Sequence, residues 1–96
     1  LKFDEVDGVM VGPYDISGSL GIPGQIDHEK VLNAGQRVVE ACRKHGKACG
    51  TQDIDPTPQS VQVALDTGYT FVALASDVFI LWKWGERMQE LIKLCR

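Results

Sequence analysis

Three short apolar runs recur along the chain, each followed by a turn-rich stretch and then by apolar positions at helical spacing. The first, Val6 with Val9-Met10-Val11, is apolar at adjacent positions rather than alternate ones. That is the pattern of a strand in a parallel sheet covered on both faces. It runs into Gly12-Pro13 and a loop that reaches Gly24. Asp27 can then cap a helix with Glu29 in its first turn. Val31, Ala34, Val38, Ala41 and Cys42 share one helical face, and His45-Gly46 closes the element with glycine just past its end. Residues 47–51 (KACGT) predict a second strand, and Gln52 to Pro56 a turn. Thr57-Pro58 reads as an N-cap followed by proline at the first helical position, and Val61, Ala64 and Leu65 form a brief stripe ending at Gly68. Residues 69–75 (YTFVALA) predict the third and clearest strand, and Ser76-Asp77 opens a helix running close to the C-terminus.

This alternation, with a repeat of roughly 30 residues, has the scale of a βαβ unit and implies a parallel sheet with right-handed crossovers. Three strands that all read as buried on two faces make a poor free-standing sheet. The expected fold is therefore α/β: the C-terminal three βα units of a (β/α)8 TIM barrel, with residues 1–96 forming part of one domain. A complete barrel takes about 250 residues. The chain opens on Leu1 with a strand a few residues in, as a piece of a longer sequence would. The alternative is an independent small α/β module that associates through its last helix. There Leu81, Trp84, Met88, Leu91, Ile92 and Cys95 form one stripe, while Phe79 and Trp82 lie off it. The off-stripe aromatics fit either a buried strand-to-helix corner or a second contact surface.

Composition narrows the function classes. The 44% hydrophobic content is that of a globular protein, and a net charge of −3 gives no reason to expect a nucleic-acid partner. The longest apolar run, Val78 to Trp82, is far too short to span a bilayer. Cys42, Cys49 and Cys95 form no CxxC pair, and their odd number argues for buried thiols in a reducing cytoplasm.

Candidate chemistry centres on Asp15, which follows a strand and a Gly-Pro corner. From the residues alone it is a turn former, an N-cap or a ligand. On the barrel reading it sits at the C-terminal end of a strand, where barrel enzymes assemble their chemistry, and its oxygens suit Mg²⁺ or Mn²⁺. Gly18, Gly21 and Gly24 lack any phosphate-loop pattern and read as loop flexibility. Ser17 and Ser19 have no base to activate them. His28 fits a helix start and His45 a helix C-terminus. Asp53 and Asp55 follow the second strand and would share its rim, although a proline-rich turn accounts for them equally.

The residues also carry a family resemblance. Val6-Asp7-Gly8-Val9, Gly12-Pro13-Tyr14-Asp15, Ser19-Leu20-Gly21 and Gly24-Gln25 before Asp27-His28-Glu29 resemble the signature region of the HpcH/HpaI aldolases. These are the class II pyruvate aldolases of the phosphoenolpyruvate/pyruvate barrel superfamily. Gly46-Lys47-Ala48 with Gly50, then Gly68-Tyr69, residues 71–74 and Ser76-Asp77, resemble the family's last two strands. The resemblance implies that Asp15 binds Mg²⁺, Mn²⁺ or Co²⁺. It implies that Gly12, Pro13 and Tyr14 shape a pocket in which the Tyr14 backbone N–H meets the carboxylate of pyruvate. The implied reaction is reversible cleavage of a 2-keto-4-hydroxy acid to pyruvate and an aldehyde through a metal-stabilised enolate. By the same resemblance the second metal ligand, a glutamate, and the histidine base and arginine lie upstream of Leu1, so these residues alone would be inactive. It further implies a homo-oligomer, a hexamer in the family's architecture, built through the C-terminal helix. Two departures stand out: Tyr14 is bulkier than the family's usual residue there, and Gln52-Asp53-Ile54 replaces an apolar run. A citrate lyase-like or non-catalytic relative in the same superfamily is the alternative.

Overall fold

The computed structural model describes residues 1–95. In chain order they form β1 (Gly8–Val11), α1 (Pro13–Ser19), α2 (Glu29–His45), β2 (Ala48–Asp53), α3 (Pro58–Thr67), β3 (Phe71–Leu74) and α4 (Asp77–Ile92). The three strands make one parallel sheet in the order β1-β2-β3, with Val9 beside Cys49, Val11 beside Thr51 and Gln52 beside Ala73. Consecutive order with right-handed crossovers puts the connecting helices on one side of the sheet, which is how a barrel grows. A doubly wound sheet would reverse direction instead.

Pairing in register gives the sheet two unlike faces, because neighbouring residues of parallel strands point the same way. Val9, Val11, Cys49 and Thr51 face α2, where Val11, Cys49, Val39 and Cys42 form the core. Helix α2 reaches them with Val31, Gly35, Val39 and Cys42, spaced by three or four residues along one stripe. Met10, Gly50, Gln52, Phe71 and Ala73 lie on the opposite face. That face is open: Met10 is 50% and Phe71 43% exposed. The expectation of strands covered on both sides is thus met on one face among these residues.

Element ends follow their local chemistry. The N-cap of α2 is His28, not Asp27; its Nδ1 accepts the Lys30 N–H at 3.1 Å. Gly46 closes α2 in the left-handed region at φ 66°. Thr57 and Ser60 form a capping box that starts α3, with Pro58 next to the cap. Ser76 precedes α4 as expected. The largest departure is α1, a seven-residue helix within the stretch expected to be loop. Ser17 anchors it: fully buried, its Oγ donates to the Tyr14 carbonyl at 2.6 Å and accepts the Gly24 N–H at 3.0 Å. That bond pins the loop after α1 back onto the helix.

Helix α4 stands nearly free of the rest of the chain and gives the molecule its 61 Å long axis. Its Lys83 forms an exposed 3.6 Å ion pair with Asp55. Leu81, Trp82 and Trp84 are more than half exposed, and Arg87 stacks 5.0 Å from the Trp84 ring. Phe79 is part-buried in the first turn of the helix, but Val78 and Trp82 are exposed, so the expectation of a buried strand-to-helix corner fails for them. Of the cysteines, Cys42 and Cys49 are buried and Cys95 is exposed, so the expectation of three buried thiols fails at Cys95. No helix among the described residues is long and apolar enough to cross a membrane.

Candidate functional site

The site is built where β1 ends. Val11 is the last strand residue, and Gly12 carries the chain into α1 with an extended backbone (φ −104°, ψ 94°). Pro13 fits the first helical position, where its missing N–H costs nothing, and Asp15 lies in the first turn, where the helix dipole favours an acid. One turn folds the Asp15 side chain back over the strand end. Its Oδ2 lies 3.0 Å from the point where a Cβ on Gly12 would be. Glycine at position 12 therefore makes the room in which the carboxylate sits.

Gly12 follows Val11, the last paired residue of β1, which lies beside Thr51. Asp15 follows the C-terminal end of β1, and Gln52 lies near the C-terminal end of β2. Residues 10–15, with Gln52 and Ile54, line a cavity of about 320 Å³ there. Gly12, Pro13, Tyr14 and Asp15, the four residues singled out from the sequence, all line it. Ser17, Ser19, His28, Asp53 and Asp55 do not.

Two of these are visibly occupied elsewhere. Asp53 points to the helix side, where its Oδ2 accepts a short hydrogen bond from Ser60 Oγ and its Oδ1 accepts the Asp55 N–H at 3.2 Å. Asp55 pairs with Lys83. The Asp15 carboxylate is exposed, and the ion pairs among the described residues join Lys83 to Asp55 and Glu86 and Lys93 to Glu90. Asp15 is thus a hard oxygen donor at the rim with no cation committed to it, suited to Mg²⁺ or Mn²⁺. Among the described residues no three His, Cys, Asp or Glu side chains gather into a group that could hold a metal ion.

Sequence reasoning missed the role of Gln52. Its Nε2 donates to the Ala75 carbonyl at 3.0 Å, while the Ala75 N–H donates to the Asp53 carbonyl at 2.7 Å. Held from both sides, Ala75 adopts φ 55°, a left-handed conformation that costs a non-glycine residue about 1–2 kcal/mol. The two bonds clamp the rim ends of β2 and β3 together. The available signal was register: Gln52 is the first polar residue of its strand on the open face.

Behind the site the core carries two ionisable groups held neutral. Burial, then a hydrogen bond to Cys42, then the Cys42 charge push the Cys49 thiol up to about 11. Burial, and secondly Cys49, push the Tyr69 hydroxyl up as well. Both are protonated at neutral pH and take no part in rim chemistry.

This architecture has counterparts. A family model described as HpcH/HpaI aldolase/citrate lyase matches residues 1–83. The chain is 40% identical over 84 residues to a 2-keto-3-deoxy-L-rhamnonate aldolase of Salmonella dublin, covering 83% of this chain and 29% of the relative. It is 37% identical over 86 residues to a hydroxypyruvate/pyruvate aldolase of Roseobacter denitrificans, covering 90% of this chain and 33% of the relative. The chain therefore spans about a third of the length of these curated relatives. The crystal structure of an HpcH/HpaI aldolase from Desulfitobacterium hafniense, a TIM-barrel protein, superposes with a TM-score of 0.82 at 29% identity. That match covers 94% of this chain and 34% of the other. A parallel sheet wound in one direction, an acid folded over a glycine at the end of β1, and a family match over residues 1–83 agree: the chain belongs to the HpcH/HpaI aldolase/citrate lyase family.

Proposed function

We propose that the chain supplies three βα units and one metal ligand of a divalent-metal-dependent aldolase that reversibly cleaves 2-keto-4-hydroxy acids to pyruvate and an aldehyde. The observation that carries this reading is the Asp15 carboxylate, set over Gly12 at the rim of the open face with no cation of its own. Asp15 would hold Mg²⁺, Mn²⁺ or Co²⁺ together with donors outside these residues. Such an ion supplies Lewis acidity, lowering the energy of negative charge that develops on the keto oxygen. The chain's own part is to bind and orient. The first N–H groups of α1 have no acceptor within the helix, and the Tyr14 N–H would donate to the substrate carboxylate. Gly12 and Pro13 hold that corner, and Tyr14, 45% exposed, forms part of the cavity wall.

The rest of the assembly follows from what is left uncovered. Met10 and Phe71 on the open face, and the free outer edges of β1 and β3, suit further barrel strands closing over them. Residues 1–96 thus read as the C-terminal part of one barrel domain. Helix α4, with its exposed leucine and tryptophan side chains, suits packing against another copy in a homo-oligomer, a hexamer on the family's pattern. Two buried free thiols suit the reducing cytoplasm.

The test is turnover by the full-length protein: pyruvate release from a panel of 2-keto-4-hydroxy acids with and without Mn²⁺ or Mg²⁺. Metal-dependent release that Asp15→Asn lowers by about 10²-fold or more is expected. Release that ignores both the metal and the substitution would overturn the reading.

A further inference from the structure

Two residues, Ala75 and Ser76, connect the end of β3 at Leu74 to the start of α4 at Asp77. In so short a connection their dihedral angles set the direction in which α4 leaves the sheet. Ser76 is extended, at φ −156° and ψ 170°, which any residue adopts. Ala75, at φ 55°, has the one positive φ found at a non-glycine among the described residues. A residue with a Cβ leaves that region unless something holds it there. Ala75 is held on both sides. Its N–H donates to the Asp53 carbonyl at 2.7 Å, and its own carbonyl accepts from Gln52 Nε2 at 3.0 Å. The first bond fixes the peptide plane before its Cα and the second fixes the plane after it. Together they pin both rotations at Ala75. Both partners belong to β2, where Gln52 and Asp53 pair with Ala73 and Leu74 of β3.

Little else holds α4 in place. Its Lys83 ion pair with Asp55 is exposed, and such pairs contribute little. Ser76 makes no side-chain bond to the helix it precedes. We propose that Gln52 and Ala75 form a backbone latch that fixes the direction in which α4 leaves the sheet, with Gln52 as the positioning residue. Without the Nε2 bond the alanine relaxes to an ordinary right-handed or extended conformation, and α4 swings about it. The helix has 16 residues and is about 24 Å long, so a turn of about 20° at Ala75 carries its far end about 8 Å. The exposed Leu81, Trp82 and Trp84 move with it. Where these side chains pack against a second copy, the latch sets the pose they present. That consequence rests on the oligomer reading; the latch itself does not.

The test uses the full-length protein with spin labels at two exposed positions, through Lys44→Cys on α2 and Gln89→Cys on α4. Exposed native cysteines, Cys95 included, are replaced by serine, and unlabelled chains are present in excess. Double electron–electron resonance then reads the distance between the two helices. Expected is one narrow distance in the wild type, with the mean shifted or the width increased by about 3 Å or more in Gln52→Met. The wild-type distance should return in the Gln52→Met/Ala75→Gly double variant. Glycine takes the left-handed conformation without strain, and the Asp53 bond still guides it. Because a neighbouring copy in an assembled oligomer also holds α4, sedimentation velocity is run on the same proteins. There the latch shows as dissociation at about tenfold higher concentration in Gln52→Met, restored in the double variant. Distances and dissociation both unchanged in Gln52→Met would overturn the proposal, and so would a change that Ala75→Gly leaves in place. If the wild type is a monomer, the oligomer reading fails and the distances alone decide the latch.

Discussion

Gly50 sits in the middle of β2, beside Phe71 of β3, and the Phe71 ring occupies the space that a side chain at position 50 would need. Gly50→Ala therefore forces the ring off the open face or parts the two strands. Overpacking of this kind costs about 1–3 kcal/mol, and a ring 43% exposed can swing outward, which points to the lower half of that range. Phe71→Ala alone gives up a partly buried ring, worth about 1–2 kcal/mol. The double variant separates the causes. With the ring gone, the alanine methyl has room, and the two costs should fall short of additivity by about 1–2 kcal/mol. Urea denaturation of the wild type, both single variants and the double variant measures that coupling directly. Strict additivity would refute the steric account of Gly50 and require another reason for the glycine.

Two further outcomes are expected. Ser17→Ala removes the acceptor of the Gly24 N–H and should cost about 1–3 kcal/mol, with faster hydrogen exchange at the Gly24 amide as its local signature. A thiol reagent at pH 8 should label Cys95 rapidly in the native protein and reach Cys42 and Cys49 only on unfolding. With the Cys49 pKa about 11, roughly one Cys49 in a thousand is thiolate at that pH. The same shift sets an alkaline limit. The folded pKa lies above the ordinary value of 9.0, so the native state holds its proton longer than the unfolded chain. Stability from this group is complete below pH 9 and declines as pH rises toward 11, a loss of order 2 kcal/mol seen in denaturation midpoints against pH.

What the sequence makes legible is what local chemistry decides. Val9-Met10-Val11 and residues 71–74 stand out as strands because they are apolar runs between turn residues. Gly46 and Thr57-Pro58 mark helix ends because one needs a left-handed residue and the other a cap and a preset φ. Helix α1 is hidden because PYDISGS has neither an apolar stripe nor good helix formers; a buried hydrogen bond from a residue seven positions on holds it. The N-cap falls on His28 rather than Asp27, with His28 Nδ1 accepting the Lys30 N–H. Strand β2 runs on to Asp53 because pairing with Leu74 continues, a long-range cause that no window of sequence contains. At the site, the position of Asp15 at a strand end is readable. That Asp15 and Gln52 line one cavity depends on strand pairing and is not.

The Asp15 carboxylate over Gly12 is the feature on which the functional account stands, and metal binding tests it without any assumption about substrate. Mn²⁺ titration of the full-length protein followed by electron paramagnetic resonance should show one site per chain, with affinity falling by about 10²-fold or more in Asp15→Asn. Equal Mn²⁺ affinity in the wild type and the variant would contradict the assignment of Asp15 as a ligand.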